Sequence, residues 1–241
     1  LLSIDPGLKF PGAELRPNST RLIVALVSAF FTMTTVTGNC LCHEHHGEHT
    51  EDESLDQSDK ELQPQEKQVM ASLQRNAFYA IPATPLTREA FQRDKVLYFE
   101  KDSKVYVLGH SAEDFAGICR DVSRRPVENG MLNAREDDSE TILKAIISRM
   151  ARQPKRRGEV ICFSVPGEAL DRPDSSLAYH EAVIKEHLAG LGYRPLAVNE
   201  GMAVVLSELS ANNFTGVGIS LGAGLCNVCF SYLTVPVVTF S

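Results

Sequence analysis

The chain lacks an apolar run long enough for a secure membrane span. Its best candidate, LIVALVSAFF after Arg21, is about ten residues where a helical span needs about twenty. It also lacks a basic excess. The formal charge is −7, and the stretch from His43 to Lys67, with nine acidic and two basic residues, carries all of it. The rest of the chain sums to zero, which leaves no electrostatic case for binding nucleic acid. A second Cys-x-x-Cys is missing as well. Cys226 and Cys229 stand alone, and residues three apart in a strand face opposite ways, so the pair cannot readily build a four-ligand zinc site. No small-x-small cleavage pattern follows the apolar run, where Gly38-Asn39-Cys40 stands instead. A cytoplasmic protein is therefore expected, with export or membrane anchoring through residues 21–37 as the alternative.

What the first seventy residues do contain is unlike the remainder. Cys40, Cys42, His43, His45, His46 and His49 lie close together. Such a tract either chelates zinc, copper or nickel flexibly or is polar chain without a second shell to organise a site. Thr50–Lys67 is acidic, rich in Gln and Ser, and reads as a solvated linker. Residues 1–70 are accordingly expected to be a disordered N-terminal tail, and residues 71–241 the folded domain.

From Gln74 the pattern becomes globular. Val96–Glu100 and Val105–Leu108 alternate around Lys101–Lys104, a hairpin signal, and Ser111–Ile118 reads as a short helix capped by Ser111. Arg120, Arg124 and Arg125 suggest either a phosphate site or a solvated turn. Asp137 and Glu140 form an N-terminal capping pair for a helix whose apolar face is Ile142, Leu143, Ile146, Ile147 and Met150. Glu159–Val165 is an apolar run of the kind buried on both faces of a sheet. The next helix turns Leu177, Ile184, Leu188 and Leu191 inward. Strand, helix, strand, helix and strand from Glu159 to Ser220 make α/β architecture with a partly parallel sheet.

The last segment carries the chemistry. Pro195–Val198 is a short strand; Asn199 caps the helix after it, in which Met202, Val205, Leu206 and Leu209 recur at helical spacing. Gly216–Leu221 is a strand that runs into Gly222-Ala223-Gly224 and continues as Leu225–Tyr232. A Gly-x-Gly turn between strands is either a plain tight hairpin or a nest of backbone N–H groups for an anion.

The order of these segments, with Asn199-Glu-Gly-Met-Ala203 opening a helix ahead of a strand and a glycine turn, resembles the actin-like ATPase superfamily. The resemblance is to bacterial actins of the MreB and ParM type, and runs from Arg75 to Ser241. It implies an actin-like, ribonuclease H-like mixed sheet with flanking helices, one lobe and the start of a second. It further implies ATP held with Mg²⁺ and self-association into filaments of cytoskeletal, plasmid or cell-shape type. By the same resemblance Ser220, Gly222, Ala223, Gly224 and Glu200 would meet the nucleotide, and Glu181 with His180 would handle the attacking water. The family's phosphate loop carries acids where this chain has Ser220 and Asn227, so hydrolysis is in question and no metal-ligating side chain is assigned. The family's Asp-x-Gly-Thr hairpin is missing ahead of Arg75, where Asp5-Pro6-Gly7 is the one echo, and an incomplete copy is expected. A non-catalytic interaction protein on the same scaffold, and an exported metal binder using Cys40–His49, are the competing readings.

Overall fold

The computed structural model describes residues 22–27, 30–37, 68–151, 153–170, 175–222 and 224–241. Strands β1 (Leu22–Val27) and β2 (Phe30–Thr37) pair antiparallel from Leu22↔Val36 to Val27↔Phe31, and β3 (Gln68–Arg75) runs antiparallel to β2. Within the expected tail of residues 1–70, the described residues 22–27, 30–37 and 68–70 are therefore strand. The aliphatic, β-branched run LIVALV suits a pleated strand and is far too short for a span of about twenty residues. Cys40–His49 and Thr50–Lys67 lie outside the described residues.

Next come β4 (Phe78–Pro82), α1 (Pro85–Arg93), β5 (Tyr98–Lys101) and β6 (Lys104–Leu108), the strands forming an antiparallel sheet in the order β4-β6-β5. Asp102 and Ser103, both at positive φ (50° and 61°), make the two-residue turn that the hairpin pattern implies. Helix α1 is not among the sequence expectations, although its signal is present. Thr84 caps it by accepting from the Thr87 N–H at 3.1 Å, and Pro85 opens it. Helix α2 (His110–Ile118) begins after Gly109 and has no side-chain cap, so Ser111 does not serve as one.

A small hairpin, β7 (Val127–Glu128) with β8 (Met131–Leu132), leads to α3 (Ser139–Ala151). Of the expected pair Asp137 and Glu140, the Glu140 carboxylate is bonded within α3 and across to α4. Glu140 accepts from Lys144 at 2.6 Å and from Tyr179 at 2.7 Å. Asp138 accepts from Lys101 at 2.6 Å and from Tyr106 at 2.5 Å, fastening the small sheet to the start of α3. Of the clustered arginines, Arg124 is used internally: it lies over the Phe78 ring at 4.6 Å and donates to Glu136.

Strand β9 (Val160–Val165) is buried at all six positions. It pairs in parallel with β1 and with β10 (Arg194–Asn199), giving the mixed sheet order β10-β9-β1-β2-β3. Between β9 and β10 runs α4 (Ser175–Gly190). Ile142 and Ile146 of α3, Ile184 and Leu188 of α4, and Ile161 and Phe163 of β9 form the main core. Each such side chain contributes roughly 1.5–3 kcal/mol by leaving water.

Helix α5 (Glu200–Glu208) follows β10 directly, and an antiparallel sheet of β11 (Gly216–Leu221), β12 (Cys226–Tyr232) and β13 (Val235–Phe240) completes the described chain. Met202, Val205 and Leu206 pack with Cys229 on one face of that sheet. Cys226 is exposed and Cys229 buried, the opposite facing expected of a strand. The end of β13 is zipped to the segment after β9, Ser241 N–H donating to Glu168 O at 2.8 Å and Leu170 N–H to Ser241 O at 3.2 Å. Among the described residues no helix is long and apolar enough to cross a membrane.

Candidate functional site

The site is assembled where β9, α5 and the β11–β12 hairpin meet. Asn199, in extended geometry at φ −60° and ψ 139°, accepts from the Met202 N–H at 3.2 Å, so the helix starts at Glu200 as its spacing implied. Two glycines then let α5 lie against the sheet with backbone touching backbone. A Cβ added at Gly218 would sit 2.0 Å from the Gly201 carbonyl oxygen, and one at Gly201 would sit 2.7 Å from the Cys229 nitrogen. The close crossing leaves Glu200 only 5% exposed.

Buried, Glu200 is not left unpaired. Its carboxyl accepts from the Asn227 amide at 2.7 Å and takes a further hydrogen bond from Ser220. Burial pushes its ionisation upward, and the bonds from Ser220 and Asn227 act against that push. Asn227, 1% exposed, accepts in turn from the Gly167 N–H at 2.8 Å. One line of hydrogen bonds thus runs from the end of β9, through β12, to the first residue of α5.

The glycine turn lies at the surface beside this line. The Gly222 N–H donates to Leu225 O at 2.8 Å, which closes the hairpin and removes that amide from any anion nest. Gly224 makes no hydrogen bond among the described residues, and its Cβ position faces Asn129 Oδ1 at 3.4 Å. Gly130 abuts Leu225 and Pro166, so the β7–β8 turn, the glycine turn and the exit of β9 converge. Ala223 lies outside the described residues.

His180 and Glu181 are elsewhere in chemical terms, though they are neighbours on α4. Glu181 is tied to Lys185 one turn on, at 2.5 Å. His180 is fully buried, with neither ring nitrogen bonded among the described residues. Burial lowers its pKa from 6.5 to about 4, with Glu181 pulling weakly the other way, so it is neutral at physiological pH. No hydrogen bond among the described residues connects either residue to the glycine turn. No group of three or more His, Cys, Asp or Glu side chains among the described residues could hold a metal ion.

A family model described as Volactin matches residues 59–241. The chain belongs to the Volactin family. That is the family found, and the narrower likeness to the MreB and ParM type is not what matched. No curated protein matches the chain. A solved structure titled "MamK double helical filament" is similar over 90% of this chain and 54% of that one, at 15% identity and a TM-score of 0.47. The chain therefore spans about half that protein's length.

In this Volactin-family chain, sequence reasoning brings Glu200 and Ser220 into one site but gives Asn227 no role of its own. The available signal was a carboxamide at an inward position of an apolar strand, where a buried polar group must find partners. Gly201 and Gly218 had a weaker signal: glycines inside a helix and a strand, which usually mark close backbone approach. A strand pair does precede Arg75, namely β1–β2, and the sequence from Leu22 to Thr37 contains no Asp-x-Gly-Thr.

Proposed function

We propose that the chain is an actin-like nucleotide-binding protein with weak or no hydrolysis. The observation that carries this reading is the convergence of the glycine turn, the β7–β8 turn and the exit of β9 around a surface position, beside a buried carboxyl. Phosphate oxygens of ATP would be met by backbone N–H groups there, that of Gly224 among them, as at other glycine nests. The order of the mixed sheet, an antiparallel meander continued by two parallel strands, supports the ribonuclease H-like reading of the first lobe. Self-association into filaments belongs to the same proposal.

Hydrolysis has little support from the side chains. General-base help requires a group within hydrogen-bond reach of the water, while Glu181 is held by Lys185 and His180 is sealed in the interior. The described residues do not fit a protein-held Mg²⁺. Glu200 and Ser220 bond each other, Asn227 is an amide, and Mg²⁺ wants near-ideal octahedral oxygen ligation. Any Mg²⁺ would arrive on the phosphates. With β1 and β2 built into the sheet, a removable export signal over residues 21–37 would take two strands with it, which favours the cytoplasmic reading.

Labelled ATP titrated into the purified chain, with Mg²⁺ and with EDTA, tests the proposal. Saturable binding that persists in EDTA is expected. Absence of binding in both buffers would refute it and leave the interaction-protein reading, which the spent Gly222 amide favours.

A further inference from the structure

We propose that Asn227 is the positioning residue that locks the β11–β12 hairpin against the exit of β9, acting through Gly167 and Glu200 without touching ligand. The bearing on phosphate binding rests on the nucleotide reading above; the lock itself does not.

The geometry fixes the direction of every bond in the line. A backbone N–H can only donate, so the Asn227 oxygen must face Gly167, at 2.8 Å. The other end of the carboxamide is then its NH₂, which donates to Glu200 at 2.7 Å. A carboxamide supplies one acceptor end and one donor end, and this position needs one of each. A carboxylate would serve Gly167 equally well and fail Glu200, because two ionised carboxyls cannot share that contact.

The surroundings leave no slack. A Cβ on Gly167 would lie 2.6 Å from the Phe240 carbonyl carbon, so the exit of β9 is already pressed on β13. The Gly167 carbonyl also accepts from the Ser241 hydroxyl at 3.0 Å. On the far side the same hairpin bears on α5 through Gly218 and Gly201. Asn227 therefore sits between two tight seams, and its side chain sets how far the glycine turn stands from Pro166 and the β7–β8 turn.

The test is a polarity swap in the full chain. N227D keeps the acceptor for Gly167 and loses the donor to Glu200. E200Q added to it restores a donor from the opposite side, while its amide oxygen can still accept from Ser220. Amide hydrogen exchange at Gly167 and Gly222–Leu225 reports the lock, and labelled ATP reports its consequence. N227D should speed exchange at these amides and weaken ATP binding about tenfold, the loss expected when a buried partner is removed. The double variant should recover both to within about threefold of wild type, on the same scale. Acidification should also rescue N227D, since a protonated carboxyl can donate, and should not help wild type. If N227D exchanges like wild type, or if the double variant fails to recover exchange, the lock is refuted. If wild type binds no ATP while the exchange pattern follows the swap, the lock stands and the nucleotide reading falls.

Discussion

His180 offers a measurable consequence of burial. Its ring is fully buried with both nitrogens unbonded among the described residues, and burial lowers its pKa from 6.5 to about 4. The unfolded chain therefore takes up a proton on this imidazole near pH 6.5 that the folded chain refuses until near pH 4. A depressed histidine pKa means that stability is intact above pH 6.5 and is lost as pH falls through that window. The difference of about 2.5 units, at 1.36 kcal/mol per unit, corresponds to a loss of about 3 kcal/mol once pH 4 is reached. Carboxylates held low by partners, such as Asp138, lose their contribution only at still lower pH, so the two effects separate. Urea unfolding at a series of pH values should show wild type weakening relative to H180L by about that amount between pH 6.5 and 4, the comparison cancelling His187, whose pKa burial also lowers, and Glu200, whose pKa burial raises. H180L, which fills the same space without a titrating ring, should show a markedly shallower slope over the interval. If the two proteins lose stability in parallel, the imidazole is solvated or bonded in solution and the reasoning fails.

Glycine positions give an internal contrast. G218A should cost about 1–3 kcal/mol or more, because the new methyl meets the Gly201 backbone, whereas G117A, with nothing within 4 Å in α2, should gain about 0.5–1 kcal/mol; melting temperatures compare them directly. D138N should lower stability by about 1 kcal/mol at pH 7, since it leaves Lys101 and Tyr106 without their shared charged acceptor, and the deficit relative to wild type should shrink in acid as the wild-type carboxyl protonates. E181Q should leave any ATP turnover within about twofold of wild type; a general base would instead show a loss of about a hundredfold or more.

Where local pattern and tertiary demand coincide, the fold is legible in the residues. The β5–β6 hairpin, the core face of α3, the largely apolar and fully buried β9 and the Asn199 cap all follow from spacing and residue type, because burial asks of those positions what their own chemistry prefers. The N-terminal run is ambiguous for a physical reason. A short aliphatic stretch after a basic residue looks alike as a signal core and as a central strand, and its pairing with β2 and β9 is not visible in its own residues. The start of α3 is only partly legible for another. The capping pattern of Asp137 and Glu140 does not show that Asp138 and Glu140 bond Lys101, Tyr106 and Tyr179, each distant in sequence.

The site is harder to read, and Asn227 shows why. Set against an acidic loop, it reads as a loss: an amide where a charge ought to be. Set beside Glu200 and Gly167, it is the residue type that satisfies a donor on one side and an acceptor on the other at a position 1% exposed. A second carboxylate there would have to stay protonated or capture a cation, and the described residues supply no cluster to share one. Ser220 completes the same logic, lending a hydroxyl to the buried acid where another charge would repel it. The departures from an acidic phosphate loop are therefore mutually consistent. They leave one buried carboxyl satisfied by an uncharged amide and hydroxyl, with no second charge beside it and no metal-holding cluster among the described residues.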